Sequence, residues 1–116
     1  MLNYDEFKKE LLKRVREKAG GDVTVEIVAI QKNNRAEKDA IAFSDKENNL
    51  QPLIYLDSIY SQYRAGAELS VCVGFTVEVY RSAMEMDIDL AYKEWKDVRG
   101  KIEITVINKA WHAEAM

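Results

Sequence analysis

The chain contains a single cysteine and a single histidine that could take part in nucleophilic catalysis or zinc binding. A catalytic thiolate needs a base within hydrogen-bonding reach, and a structural zinc ion needs four ligands at compatible spacing. Cys72 and His112 are forty residues apart, and His112 lies in a short tail without a capping residue. The sequence therefore predicts that Cys72 is a small buried hydrophobe, and that the chain is not an enzyme and holds no zinc.

Three acids alternate at Glu85, Asp87 and Asp89, a pattern that superficially suggests a calcium loop. Such a loop also uses a central glycine and a terminal glutamate, which this segment lacks. The sequence favours a solvated loop, whose carboxylates are candidates for contact with a protein. The five glycines form no phosphate-binding loop, so no cofactor is predicted.

Tyrosines cluster near an arginine and an aspartate in the middle of the chain. Tyr55, Asp57, Tyr60, Tyr63 and Arg64 are the best candidates for contact with a protein, because tyrosine and arginine are enriched at interface hot spots. The alternative is that Tyr55 and Tyr60 pack the junction of a strand and a helix, with their hydroxyls at its rim. The sequence leaves both interpretations open.

The first element is predicted to be an amphipathic helix, since apolar residues recur at spacings of three and four from Tyr4 to Ala19. Asn3 and Glu6 are spaced as a capping box, and Gly20-Gly21 supplies the stop. From Asp22 the period changes to two, which predicts a strand up to residue 30.

A hairpin is predicted next, because Lys32–Arg35 is turn-like and Ala40–Phe43 resumes the alternation. Pro52 fits an edge strand or the first residue of the short strand Leu53–Leu56. Asp57 is then expected to cap a helix over Ser58–Ala65 that ends at Gly66.

Residues 67–85 fit two patterns, because alternate valines suggest a strand while other apolar residues fit a helix. Nineteen residues without a turn signal favour a buried helix. Asp89 is expected to cap a further helix carrying Leu90, Ala91, Tyr92, Trp95 and Val98. Ile102, Ile104 and Val106 predict a last strand, and Ala110–Met116 resembles the start of another helix.

The predicted fold is a single α+β domain over residues 1–116, with a mostly antiparallel sheet of about four strands covered by about four helices. The net charge of −3 disfavours direct binding to nucleic acid or to an anionic membrane. The lone cysteine and the absence of a leader pattern predict a cytoplasmic location.

Several segments resemble an uncharacterised domain-of-unknown-function family of gut clostridia and related Firmicutes. The resemblance is carried by the opening Asn3–Phe7, by Lys32-Asn33-Asn34, and by Pro52–Asp57 followed by Tyr60, Tyr63 and Gly66. It implies a fold but no activity and no binding residues. It also implies members that extend beyond residue 116.

The absence of catalytic and metal patterns favours a non-catalytic protein-binding module, of undetermined oligomeric state. Its most specific form is a mobile-element inhibitor of a host nucleic-acid enzyme, in the manner of anti-CRISPR proteins, with a Cas nuclease as partner; this form rests on analogy. One alternative is the front part of a longer protein whose chemistry lies beyond residue 116. A second is a nucleic-acid-binding domain that uses the first helix.

Overall fold

A five-stranded antiparallel sheet organises the computed structural model, which describes residues 1–31, 36–97 and 100–114. The strands are β1 (Thr24–Ile30), β2 (Lys38–Ser44), β3 (Leu50–Tyr55), β4 (Tyr92–Asp97) and β5 (Ile102–Asn108). The helices are α1 (Tyr4–Ala19), α2 (Leu56–Arg64), α3 (Leu69–Met84) and α4 (Lys109–Glu114). The strand order is β1-β2-β3-β5-β4, so the predicted α+β class is confirmed with five strands rather than about four.

The first helix begins at the predicted capping box. The Asn3 side chain accepts a hydrogen bond from the Glu6 amide at 2.9 Å, and the Glu6 carboxylate accepts one from the Asn3 amide at 3.0 Å. Two amides that the helix cannot pair internally are thereby satisfied. Gly20 ends the helix with a φ of 96°, a conformation that glycine adopts without strain.

One face of the sheet carries the main hydrophobic core. Alternate strand residues on this face pack with helices α1, α2 and α3, and include Val25, Ile41, Phe43, Ile54, Ile102, Ile104 and Val106. The opposite face carries a smaller buried cluster of Ala40, Ala42, Leu53 and Tyr55. Because neighbouring strand residues point to opposite faces, β3 contributes Ile54 to one cluster and Tyr55 to the other.

The ambiguous segment, residues 67–85, contains helix α3, as predicted. Its buried residues recur at helical spacing and are Cys72, Val73, Thr76, Val77, Val79, Tyr80 and Ala83. The alternating valines therefore do not mark a strand, and Val71 is left 41% exposed.

The prediction of a helix after Asp89 is wrong, because Tyr92–Asp97 forms the edge strand β4. Its residues pair with β5, and Trp95 lies opposite Ile104 on the face of the main core. The backbone N–H and C=O groups of this segment form hydrogen bonds with those of β5. This is a tertiary contact, which the spacing of residues within the segment does not reveal. Val98, the last residue assigned to that helix, lies outside the described residues.

Two predictions about the next junction are also wrong. Pro52 is the third residue of β3, which lies between β2 and β5 rather than at an edge. The pairing with β2 covers only Leu53 to Tyr55, so it stops beside the residue that has no N–H to donate. Asp57 is not a cap either, because α2 begins at Leu56 and no side chain caps it.

The remaining predicted elements are confirmed where the structure describes them. The hairpin of β1 and β2 is confirmed by the pairing of Ile30 with Lys38, while Lys32–Arg35 lie outside the described residues. The helical tail is confirmed as α4 up to Glu114. Among the described residues, no helix has the length and apolar character needed to cross a membrane.

Candidate functional site

Helix α2 presents an aromatic and charged surface. Asp57, Tyr60 and Arg64 follow one another at intervals of three and four, which places them on one face of the helix. Asp57 and Arg64 are exposed and Tyr60 is half-buried between them. The guanidinium carbon of Arg64 lies 6.0 Å from the centroid of the Tyr60 ring. We call Asp57, Tyr60, Tyr63 and Arg64 the α2 surface.

Helix α1 holds the two tyrosines of this surface in place. The Tyr60 ring lies 5.2 Å from that of Tyr4, edge to face, and 5.1 Å from that of Phe7. The Phe7 ring also lies 5.0 Å from that of Tyr63, whose hydroxyl accepts a hydrogen bond from the Leu2 amide at 2.8 Å. Aromatic pairs at these distances attract one another, so the tyrosines are held in defined positions.

A polar cluster that the sequence analysis missed borders this surface. The Tyr4 hydroxyl donates a hydrogen bond to Asp39 Oδ2 at 2.8 Å, and Lys8 Nζ lies 3.1 Å from the same oxygen. Tyr4 and Lys8 are one helical turn apart, which sequence spacing shows. Their link to Asp39, at the start of β2, depends on the packing of α1 against the sheet.

The pKa shifts of Tyr4 and Asp39 favour the same protonation states throughout the neutral pH range. Burial, followed by the hydrogen bond to Asp39, raises the pKa of Tyr4 above its ordinary value. The same hydrogen bond, helped by Lys8, lowers the pKa of Asp39. The phenol therefore stays protonated and the carboxylate stays ionised, so the cluster acts as a positioning contact rather than as an acid and base pair.

Tyr55 does not join the other tyrosines, so the predicted five-residue cluster is split by the sheet. Its side chain is buried in the cluster on the opposite face, at 8% exposure. Its hydroxyl lies 2.9 Å from Thr105 Oγ1 in a hydrogen bond. Lys38 connects the two regions, because its Nζ lies 3.4 Å from Asp57 Oδ2 and 5.7 Å from the Tyr55 ring centroid.

A groove of about 340 Å³ lies beside Tyr55. Its charged lining residues are of both signs and comprise Lys38, Glu94, Lys96 and Glu103, while Ile30 and Tyr55 add apolar surface. Balanced charges do not select for phosphate, which is bound by concentrated positive charge. Like the α2 surface, the groove on the other side of Lys38 therefore combines charges of both signs with apolar side chains.

The alternating acids lie apart from the α2 surface. Glu85, Asp87 and Asp89 are exposed in the loop between α3 and β4, whereas Ile88 is buried. No hydrogen bond or ion pair among the described residues links them to α2. Within the described ranges, no three His, Cys, Asp or Glu residues are grouped so that they could hold a metal ion.

Cys72 is a buried residue of the main core, as predicted. Burial raises the pKa of its thiol, so it is protonated near neutral pH and lacks the thiolate that a nucleophile requires. The side chain of His112 lies outside the described part of the chain.

Fold and surface together define a small α+β domain with a rigid aromatic surface flanked by opposite charges. The chain belongs to a family of unknown function, DUF5688, whose model matches residues 4–116. Comparisons with curated proteins and with solved structures find no match. The resemblance to a domain-of-unknown-function family is therefore confirmed at the level of the family.

Proposed function

We propose that this domain is a non-catalytic protein-binding module and that it contacts its partner through the α2 surface. The observation that carries the proposal is the face of α2 on which a rigidly held Tyr60 lies between the exposed Asp57 and Arg64. Rigid aromatic side chains lose little conformational entropy when they bind, and tyrosine and arginine are the residues that most often dominate interfaces.

The charges of the α2 surface define the chemistry of the partner. Asp57 and Arg64 are seven residues apart, or about 10 Å along the helix. A fitting partner presents a cation opposite Asp57 and an anion opposite Arg64, with an apolar side chain between them. The ion pair of Asp57 with Lys38 is exposed and contributes little stability, so a partner can replace it.

Affinity capture with matched variants tests this proposal. Tagged wild-type protein is compared with Arg64→Asp, and with Lys46→Asp as a control on the exposed loop between β2 and β3, at the end of β3 opposite to α2. The captured protein is then titrated calorimetrically against all three. We expect Arg64→Asp to weaken binding at least tenfold, or about 1.4 kcal/mol, and the control to bind like wild type. Equal binding by all three, or substrate turnover by the pure protein, contradicts the proposal.

The narrower form of this proposal is inhibition of a nucleic-acid-handling enzyme such as a Cas nuclease. It is supported by the small size, the net charge of −3 and the exposed carboxylates of Glu85, Asp87 and Asp89. These carboxylates would lie where the enzyme binds a phosphate backbone. A DNA cleavage assay with purified nuclease tests this form, and unaffected cutting without co-purification rules it out while leaving the broader proposal standing.

A further inference from the structure

Strands β1 and β4 form the two edges of the sheet, and only β4 carries the features that protect an edge from pairing with a further strand. Such features are charged side chains, above all lysine, as well as proline and bulges. Four of the six residues of β4 are charged, and two of these are lysines. One of the seven residues of β1 is charged, none is proline, and its register with β2 is unbroken. Of the two edges, β1 is therefore the one open to a further strand.

The backbone of β1 presents hydrogen-bonding groups along this edge. The Val25 carbonyl accepts a hydrogen bond from Arg16 Nε at 2.8 Å, so it points away from β2. Because backbone groups alternate in direction along a strand, the N–H and C=O groups of Ile27 and Ala29 also point outward, while the residues between them pair with β2. In the described part of the chain, no hydrogen bond reaches these outward groups of Ile27 and Ala29. The outward side of Val25, Ile27 and Ala29 is called the β1 edge below.

We propose that the β1 edge binds an extended segment of another protein, which adds a sixth strand to the sheet. An extended backbone is the ligand whose donors and acceptors have the spacing of this edge, so each outward group gains a partner. Val28 and Ile30 are half-buried on the face of the sheet opposite to helices α1, α2 and α3. Apolar side chains of the added strand would pack beside them on that face.

Helix α1 determines which side chains the segment carries on its other face. Through its hydrogen bond to Val25, Arg16 reaches over the outer side of β1. At 3.6 residues per turn, Lys9 lies about 20° from Arg16 around the helix and Lys13 about 60°, and all three are exposed. Asp5, also about 20° from Arg16, is the one acid that points to this side. Positive charge therefore predominates, and a fitting segment alternates acidic side chains toward α1 with apolar side chains on the opposite face.

The same charges disfavour a second copy of this chain as the added strand. The residue before Lys9 contacts Asp39, which pairs with Ala29, so Lys9 lies near the Ala29 end of β1. Arg16 lies at the Val25 end. Antiparallel pairing of two β1 edges about a two-fold axis places the Val25 end of one copy beside the Ala29 end of the other. Arg16 of each copy would then lie level with Lys9 of the other, and these like charges oppose association.

Amide hydrogen exchange measured by NMR tests the proposal with two capped nine-residue peptides, in which valine alternates with glutamate in one and with lysine in the other. At ten times its Kd, the glutamate peptide should slow exchange of the Ile27 and Ala29 amides about tenfold. The lysine peptide should bind several-fold more weakly. Equal binding of both peptides, or no protection of these amides up to about 1 mM glutamate peptide, overturns the proposal. Protection that grows with protein concentration in the absence of peptide indicates a second copy and also overturns it.

Ala29→Pro tests the backbone contact itself. The substitution removes an outward N–H, and proline is tolerated at an edge position of this kind, so the Tm should stay close to that of the wild type. Affinity for the glutamate peptide should fall at least tenfold, because a hydrogen bond is lost and the proline ring occupies the pairing side. Lys96→Pro at the β4 edge is the matched control and should bind the peptide like wild type. A folded Ala29→Pro variant with undiminished binding contradicts the proposal.

Lys9→Glu tests the charge of the segment and does not depend on how the strand tolerates proline. This exposed substitution on α1 should weaken binding of the glutamate peptide several-fold and strengthen binding of the lysine peptide. Lys93→Glu on β4 makes the same change in net charge at the other edge and should leave both affinities unchanged. An unchanged preference in Lys9→Glu contradicts the proposal. Arg64→Asp should bind the glutamate peptide like wild type, because the β1 edge acts independently of the α2 surface.

Discussion

Asp39 shows how a single side chain connects helix α1 to the sheet. Its carboxylate accepts the Tyr4 hydroxyl and lies against Lys8, and Tyr4 in turn packs on Tyr60 of the α2 surface. A charged acceptor strengthens such hydrogen bonds. The position of Tyr60 therefore depends partly on a residue far from it in sequence.

We expect Asp39→Asn to lower the free energy of unfolding by about 1 kcal/mol near neutral pH, because the charge-assisted contacts are lost. The pKa of Asp39 is lowered by folding, so its contribution is present above the unfolded pKa of about 3.9 and is lost as the pH falls through the folded value. The difference between variant and wild type should therefore shrink as the pH falls below the unfolded pKa of about 3.9. Urea titrations across this range test it, with the exposed Asp22→Asn as control; a pH-independent difference contradicts the assignment.

Tyr55→Phe tests whether the Tyr55 hydroxyl stabilises the fold. Because the Tyr55 hydroxyl is buried and bonded to Thr105, we expect its removal to lower the free energy of unfolding by about 1 kcal/mol. Chemical denaturation measures this loss. Unchanged stability would show that the hydroxyl contributes nothing to the fold.

Edge strand β4 is the element whose type the sequence analysis misjudged. The Asn108 amide donates to the Ala91 carbonyl at 2.8 Å, so the backbone of residue 91 points toward β5. Strand geometry alternates, which directs Lys93 toward β5 and Lys96 away from it. This difference exists only in a strand.

Proline substitutions at these two lysines therefore test the element. Lys93→Pro should destabilise the protein by about 1–3 kcal/mol, because it leaves a partner carbonyl without its donor. Lys96→Pro should be milder, since proline is tolerated where the edge N–H faces outward. Thermal denaturation of both variants measures the difference. Equal losses would favour a helix, in which both prolines disrupt the backbone.

The molecule as a whole is stabilised by the core between the sheet and helices α1, α2 and α3. Phe7 is fully buried in this core and contacts the rings of both Tyr60 and Tyr63. The same packing thus supports the fold and fixes the α2 surface.

Phe7→Ala should lower the free energy of unfolding by about 3–5 kcal/mol, a large share of the 5–15 kcal/mol of a typical domain. The cavity should also increase the mobility of the Tyr60 and Tyr63 rings. Denaturation and aromatic NMR relaxation measure the two effects. Val15→Ala, at a buried α1 residue about two helical turns from Phe7, is the control and should lower stability while leaving the rings ordered.

Local signals in the sequence determined several elements and the α+β class. The capping box at Asn3 and Glu6 and the alternation in β1 each depend on neighbours within a few residues. Such short-range preferences act on any backbone with these residues, so they can be read before folding.

Only the tertiary structure decided the state of residues 92–97, the separation of Tyr55 from Tyr60, and the contact of Asp39 with Tyr4. Each depends on groups brought together from distant parts of the chain: β5 pairs with β4, the sheet separates two faces, and the packing of α1 on β1 and α3 brings Tyr4 to Asp39 of β2. The free energy of these contacts comes from pairing and burial between elements, which spacing along a single segment does not contain.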